Sequence, residues 1–201
     1  MNAIVKEVDH ARQNASGWAS TIVELVAAMD CDYDRLSELR DEREAAKDSA
    51  YESPDVDGAF GYTGCDQDCY ATLAEAEAAA LAEWDSDNGE EFAQLTADAT
   101  IDGEVCEDGE AARERIQESP LSVQVRSGWA NPGEEMQAEE FEILLSTGGP
   151  ALRIMGELDE HKQPSRAYLQ YQDWGTPWTD FFGEIESSTL LTFCQQFYFG
   201  E

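Results

Sequence analysis

The chain has 201 residues, with 44 Asp and Glu against 12 Lys and Arg, and a formal net charge of -32. A hydrophobic content of 42%, with five Trp, seven Tyr and eight Phe, excludes a wholly disordered chain, which would be aromatic-poor. The negative field argues against direct binding to nucleic acid or an anionic membrane, and no apolar run approaches the roughly 18 residues of a membrane span.

That length allows one domain or two small ones. Like carboxylates repel one another and destabilise the compact state, so such a charge is either used or matched by salty surroundings. The start, Met1-Asn2-Ala3-Ile4-Val5-Lys6-Glu7, lacks the basic and then apolar pattern of a signal peptide. Five cysteines (Cys31, Cys65, Cys69, Cys106 and Cys194) form no disulfide framework, and reduced thiols in a cytoplasm are expected.

The first segment, residues 1–50, reads as a helical pair. Ile4, Val8, Ala11, Ala15, Trp18, Ile22, Leu25 and Met29 step alternately by four and three, a heptad-like seam. Asp30-Cys31-Asp32-Tyr33-Asp34 breaks the pattern, with Asp32 or Asp34 able to cap a second, more charged helix through Leu36 and Leu39. Two antiparallel helices packed on each other are expected; the alternative is a homodimer through the first helix.

Residues 51–118 form a highly acidic segment of helices and loops, with 20 Asp and Glu against Arg113 and Arg115 alone. An Ala/Glu helix is expected over 70–84, ended by Asp85-Ser86-Asp87-Asn88-Gly89. A short helix follows over 90–97, and another over 107–118, stopped by Ser119-Pro120.

Residues 119–201 change texture. Strands are expected at 121–129, 141–145, 151–158 and 166–171, joined by short turns at Gly148-Gly149-Pro150 and at 159–164. Pro177 starts a short helix over 178–182, and Ser188-Thr189 caps an apolar helix over 190–199 that covers one sheet face. The fold class is therefore α+β: an N-terminal helical hairpin, an acidic helical middle, and a C-terminal four-stranded antiparallel sheet covered by a helix.

Catalytic signatures are lacking. His10 sits on the charged side of the first helix and His161 in a turn, and neither G-x-S-x-G, a Walker A loop, GxGxxG nor HExxH occurs. Cys65-x-x-x-Cys69 lacks two further ligands at a zinc spacing. Asp85-x-Asp87-x-Gly89 departs from a calcium loop, with Gly89 fifth and Thr96 twelfth. No cofactor, metal or catalytic residue is expected. An enzyme alternative places a site in the C-terminal sheet around Arg126, Asp173 and Trp174. Trp129, Trp174 and Trp178 read as core and turn anchors rather than a ligand-stacking cleft.

The positive signal is the row of carboxylates. Duplex DNA carries one charge per roughly 1.7 Å, and helical carboxylates three or four apart lie about 5–6 Å apart at Cβ. Beyond Glu75 and Glu77, the candidate partner-binding residues are Glu83, Asp85, Asp87, Glu90, Glu91, Asp98, Asp102, Glu104, Glu107, Asp108 and Glu110. Such a face matches a basic nucleic-acid-binding groove and would block it competitively. Adaptation to molar salt gives a similar composition, with only Lys6, Lys47 and Lys162 as lysines. It should spread the acidity evenly, however, rather than concentrate it in the middle third.

Four C-terminal stretches carry a resemblance: Ser122-Val123-Gln124-Val125-Arg126-Ser127-Gly128-Trp129, Ile143-Leu144-Leu145-Ser146-Thr147-Gly148-Gly149-Pro150, Tyr171-Gln172-Asp173-Trp174-Gly175-Thr176-Pro177-Trp178 and Gln196-Phe197-Tyr198-Phe199-Gly200-Glu201. Over 119–201 the chain resembles a family of accessory proteins carried by plasmids, integrative elements and phages of proteobacteria, a resemblance that brings no reaction with it. In size and charge the whole chain is similar to the acidic anti-restriction and anti-CRISPR proteins of such elements, which implies a basic DNA-binding protein of a host defence system as partner. An acidic adaptor or dimerisation protein is the further alternative.

Overall fold

The computed structural model describes residues 9–54, 56–65, 70–129, 131–133 and 136–200. Its contacts divide the chain into two compact units, the first joining Met1–Asp30 to Ile101–Glu201 and the second comprising Cys31–Thr100. Textural boundaries at 50 and 118 follow composition along the chain, whereas the units follow packing. The second unit is inserted within the first.

The first unit holds helix α1 (His10–Asp30), which ends just before the insertion; after it come helix α4 (Gly109–Glu118), a sheet and helix α5 (Ser187–Cys194). The sheet runs β5 (Ser122–Ser127), β6 (Ala138–Ser146), β7 (Ala151–Leu158), β8 (Pro164–Gln172) and β9 (Thr179–Asp180), antiparallel and in sequence order. Four expected strands are present and a fifth follows them. Register sets two apolar rows across one face: Val123–Ile143–Ile154–Leu169, and Val125–Phe141–Gly156–Ala167. Both α1 and α5 pack on β8, and α4 packs on α1. Ile143, Ile154, Leu169, Ile22, Ile116 and Phe193 are buried in this core.

The face of α1 that reads as a heptad seam is spent here: Ala11, Ala15, Ile22 and Leu25 are buried within the unit, while Ile4 and Val8 lie outside the described residues. The short helix expected over 178–182 is instead β9 and extended chain. A single turn has little to stabilise it alone, and this stretch makes better bonds to the sheet. Phe181 N–H donates to the Leu169 carbonyl at 2.8 Å, and the Gln170 side chain donates to Asp180 at the same distance. Likewise α5 stops at Cys194 rather than continuing to 199; Phe199 lies over Phe141 with ring centroids 4.7 Å apart.

After α3 in the chain, β3 (Thr100–Ile101) and β4 (Glu104–Val105) form a two-stranded ladder. Asp102 and Gly103, with φ of 52° and 82°, make the turn. Positive φ at both central residues is the geometry that Asp-Gly favours in a hairpin.

The second unit is built from helix α2 (Tyr33–Asp48), the paired strands β1 (Ala50–Glu52) and β2 (Phe60–Tyr62), and helix α3 (Leu73–Asp98). The break between α1 and α2 is where the aspartates put it: the Asp32 side chain accepts the Arg35 N–H and caps α2. Leu36 and Leu39 of α2 are fully buried, and Ala76 and Ala80 of α3 are buried as well.

Helix α3 corrects the expectation of a stop at 85–89. It runs through Asp85-Ser86-Asp87-Asn88-Gly89 without interruption for 26 residues. Gly costs roughly 1 kcal/mol and Ser, Asp and Asn up to about 0.7 each in a helix interior. Two contacts offset this at that point: within α3, Trp84 meets Phe92 edge-on at 5.7 Å across the stretch, and Asp85 takes a hydrogen bond from Arg43 of α2 at 3.2 Å.

Candidate carboxylate face

Eight carboxylates lie on α3, namely Glu75, Glu77, Glu83, Asp85, Asp87, Glu90, Glu91 and Asp98, with no Lys or Arg among its residues. At 1.5 Å per residue the helix is about 39 Å long, roughly one carboxylate per 5 Å. This is about a third of the linear charge density of duplex DNA. No Lys or Arg occurs anywhere between Lys47 and Arg113. The only bases of the second unit, Arg35, Arg40, Arg43 and Lys47, are all on α2.

Several of these carboxylates hold the fold together. Arg35 makes a forked pair of bonds to Glu91, Nε to Oε1 at 3.1 Å and Nη2 to Oε2 at 3.0 Å. That bond holds the Glu91 carboxyl below its usual range and raises the Arg35 guanidinium further. Arg43 bonds Asp85 and lies over the Phe92 ring at 5.8 Å. The Tyr62 hydroxyl donates to Glu83 at 2.7 Å, which pushes the phenol pKa up, since losing the proton would set two anions together. Glu75 accepts the Ala71 N–H while Thr72 accepts the Glu75 N–H, a reciprocal cap at the start of α3. Asp98 accepts a bond from Gln94.

The remaining candidates belong to the first unit and are mostly structural as well. Asp102 sits in the hairpin turn, with its N–H bonded to Glu24 at 3.2 Å. Asp108 caps α4 by accepting the Ala111 N–H at 2.8 Å. Glu110 pairs with Arg113, and Glu104 with Arg115. Among the described residues, Glu77, Asp87 and Glu90 on α3, and Glu107, have no bonding partner. The continuous row expected over 83–110 is thus divided between two units, and its uncommitted charges on α3 are Glu77, Asp87 and Glu90. Sequence alone singles out Glu77 no more than its neighbours, because only packing reveals which carboxylates are already spoken for.

The alternative constellation does not converge. Arg126 pairs with Glu140 at the outer strand β5, in a row that crosses to Glu157 and Arg166. Asp173 and Trp174 lie beyond the other end of β8, past the Gln172–Ala151 row, near the opposite corner of the sheet. Trp178 is half-buried with Arg153 over its ring at 4.2 Å, and Arg153 also bonds Gln170 and Glu142. Trp174 lies against Gly149, bordering a shallow cleft of about 420 Å³ with Trp178. Trp129 is far along the chain from both and fully exposed at the end of β5. The three tryptophans make no single site.

His10 and His161 are both exposed, His161 beside Glu160 in the β7–β8 turn. Asp85, Asp87 and Gly89 are helical, so they form no calcium loop. Among the described residues no group of His, Cys, Asp and Glu is placed to hold a metal ion; Cys69 lies outside them. Cys31 is free and half-buried, Cys106 and Cys194 are free and buried, and Cys65 is half-buried. Among the described residues no helix is long and apolar enough to cross a membrane.

No family model matches the chain, and neither a curated protein nor a solved structure matches it.

Proposed function

We propose that this protein is a non-catalytic inhibitor that presents α3 to a basic nucleic-acid-binding groove and excludes DNA from it: a DNA mimic acting against a host defence complex of the restriction or CRISPR kind. The observation that carries the reading is the long, base-free helix α3, with Glu77, Asp87 and Glu90 uncommitted and the four bases of its unit gathered on α2. Because Arg35 and Arg43 draw Glu91 and Asp85 toward α2, the helix is fixed to a frame. A partner's Lys and Arg side chains then meet carboxylates that are already positioned, so less ordering is needed on binding. Long-range attraction between the two fields speeds the encounter, and rising salt weakens it.

The test is capture of partners by the tagged protein in a proteobacterial host, at low and moderate salt. A basic DNA-binding complex, released by salt and by competing duplex DNA, supports the proposal and identifies the target. Recovery of the protein alone, or with partners indifferent to duplex DNA, defeats it.

A further inference from the structure

Carboxylate-free stretches are scarce in a chain with 44 acidic residues, and most have an evident cause. Residues 10–23, 143–156 and 187–200 lack Asp and Glu, and they supply α1, the β6–β7 hairpin and α5, the layers that bury one another. One further run of this length, 119–133, has no carboxylate and a single charge, Arg126. It carries β5, and it is not buried.

Three features of β5 coincide. It is an outer strand of the five, paired to β6 alone among the described residues. Val123 and Val125 stand at the ends of the two apolar rows that α1 and α5 cover elsewhere, yet they are 39% and 51% exposed. Leu121, Met136 and Trp129 beside them are 59%, 72% and 107% exposed. Outer strands normally carry charges or prolines that discourage pairing. Here Pro120 precedes the strand, Arg126 faces away from the valines, and the apolar residues are left unprotected.

We propose that β5 is the pairing edge for a second copy of this chain. Two β5 strands meet antiparallel about a two-fold axis near Gln124, giving one continuous ten-stranded sheet. Side chains of facing residues share a face in such a pairing. Placing Val123 of one copy opposite Val125 of the other therefore gathers four valines on the covered side. It also sets Arg126 opposite Ser122, so no like charges oppose each other. A copy bearing -32 is repelled from most of this surface, and the carboxylate-free edge is where that repulsion is least. The inference is independent of the α3 reading and has the opposite salt dependence: screening strengthens this contact, while it weakens docking on a basic groove.

Sedimentation of the whole chain separates the outcomes, run at about 0.1 M and about 1 M NaCl, where the screening length falls from about 10 Å to about 3 Å. The expected result is a shift from monomer toward twice the 22.3 kDa chain mass, with at least tenfold tighter association in the higher salt. The V123E/V125E variant should stay monomeric in both, with an unchanged melting profile because both side chains are partly exposed in the single chain. Hydrogen exchange gives a second readout on the unaltered protein, with protection of 121–127 growing with concentration. A wild-type chain that stays monomeric at about 1 M NaCl overturns the proposal. So does a dimer that survives V123E/V125E, or protection of 121–127 that appears only with a heterologous partner bound.

Discussion

Gly156 lies at the centre of the covered face, in the row Val125–Phe141–Gly156–Ala167. A Cβ built there falls on the ring of Phe141 and on the Arg166 carbonyl oxygen, roughly an ångström inside ordinary contact of about 3.5 Å. Phe141 cannot swing clear, since it is buried against Phe199, and the carbonyl belongs to a paired strand. Overpacking of this kind costs about 1–3 kcal/mol, and a backbone obstacle places Gly156→Ala at the upper end. At about 2–4 °C per kcal/mol for a chain of this size, the melting temperature should fall by about 6–12 °C. Hydrogen exchange should localise the loss to β6, β7 and β8 and leave α2 and α3 unchanged, because those helices draw their buried contacts from the inserted unit. A fall under about 2 °C would refute the packing argument, and equal loss of protection in α3 would refute the independence of the two units.

Three further outcomes follow from named groups. Neutralising Glu77, Asp87 and Glu90 together as E77Q/D87N/E90Q removes carboxylates without structural partners, so the fold should keep its melting temperature while capture of a basic partner weakens. At about 0.2–1 kcal/mol per exposed pair the loss is about 3- to 150-fold in affinity, read by displacement of labelled duplex from the captured complex. Burial raises the Cys194 thiol and leaves it protonated. Alkylation of the native protein, mapped by mass spectrometry, should therefore spare Cys194 until the protein unfolds. Asp159 accepts backbone N–H bonds from Gln163 and His161, and these hold its carboxyl below the usual range. A lowered folded value means the stabilisation is complete above the ordinary carboxyl range and lost as pH falls through the folded value. Exchange protection of the 159–163 turn should follow that course, and D159N should remove the pH dependence.

Much of this architecture is legible from local pattern. The apolar runs at 141–145 and 151–158, set off by the Gly148-Gly149-Pro150 turn, identify β6 and β7, in which every second residue is buried, and Asp32 marks the start of α2 because its side chain is the right length to accept the Arg35 N–H. What escapes is whatever depends on distant partners. Asp85 to Gly89 reads as a stop; the bond from Arg43 of α2, distant in sequence, and the Trp84–Phe92 contact that spans the stretch within α3 support its continuation. The heptad seam of α1 is equally compatible with a neighbouring helix, a second chain or a sheet; its partners prove to lie beyond residue 100. The Asp102-Gly103 turn has a local signal, an Asp-Gly pair between short apolar-containing stretches, and Asp102 serves that turn with a positive φ. For the candidate face, sequence locates the acidity and cannot sort it. Glu83 and Glu90 look alike in a string of letters, and one is bonded to Tyr62 while the other is uncommitted.

Acidity that serves a groove and acidity that serves molar salt make different demands on the fold, and one titration separates them. The inserted unit has 20 acidic residues in 70, while the larger unit has 24 in 131, so the charge is denser where α3 lies. Neighbouring carboxylates on a helix face are about 5–6 Å apart, and the screening length passes through that distance between about 0.1 M and 1 M salt. If the carboxylates simply repel one another until a basic partner neutralises them, added NaCl should raise the melting temperature up to about 0.5 M and little beyond. The chain should also be folded at about 0.1 M. If they are an adaptation that keeps the protein hydrated in concentrated salt, the chain should be unfolded or loosened at about 0.1 M and continue to gain stability through about 3 M. The ion pairs Arg35–Glu91 and Arg43–Asp85 sharpen the contrast, because screening weakens them while it relieves the repulsion. A melting curve that rises, levels and then stays flat is therefore the expected form, and a monotonic climb through molar salt would remove the main physical reason for assigning α3 a partner.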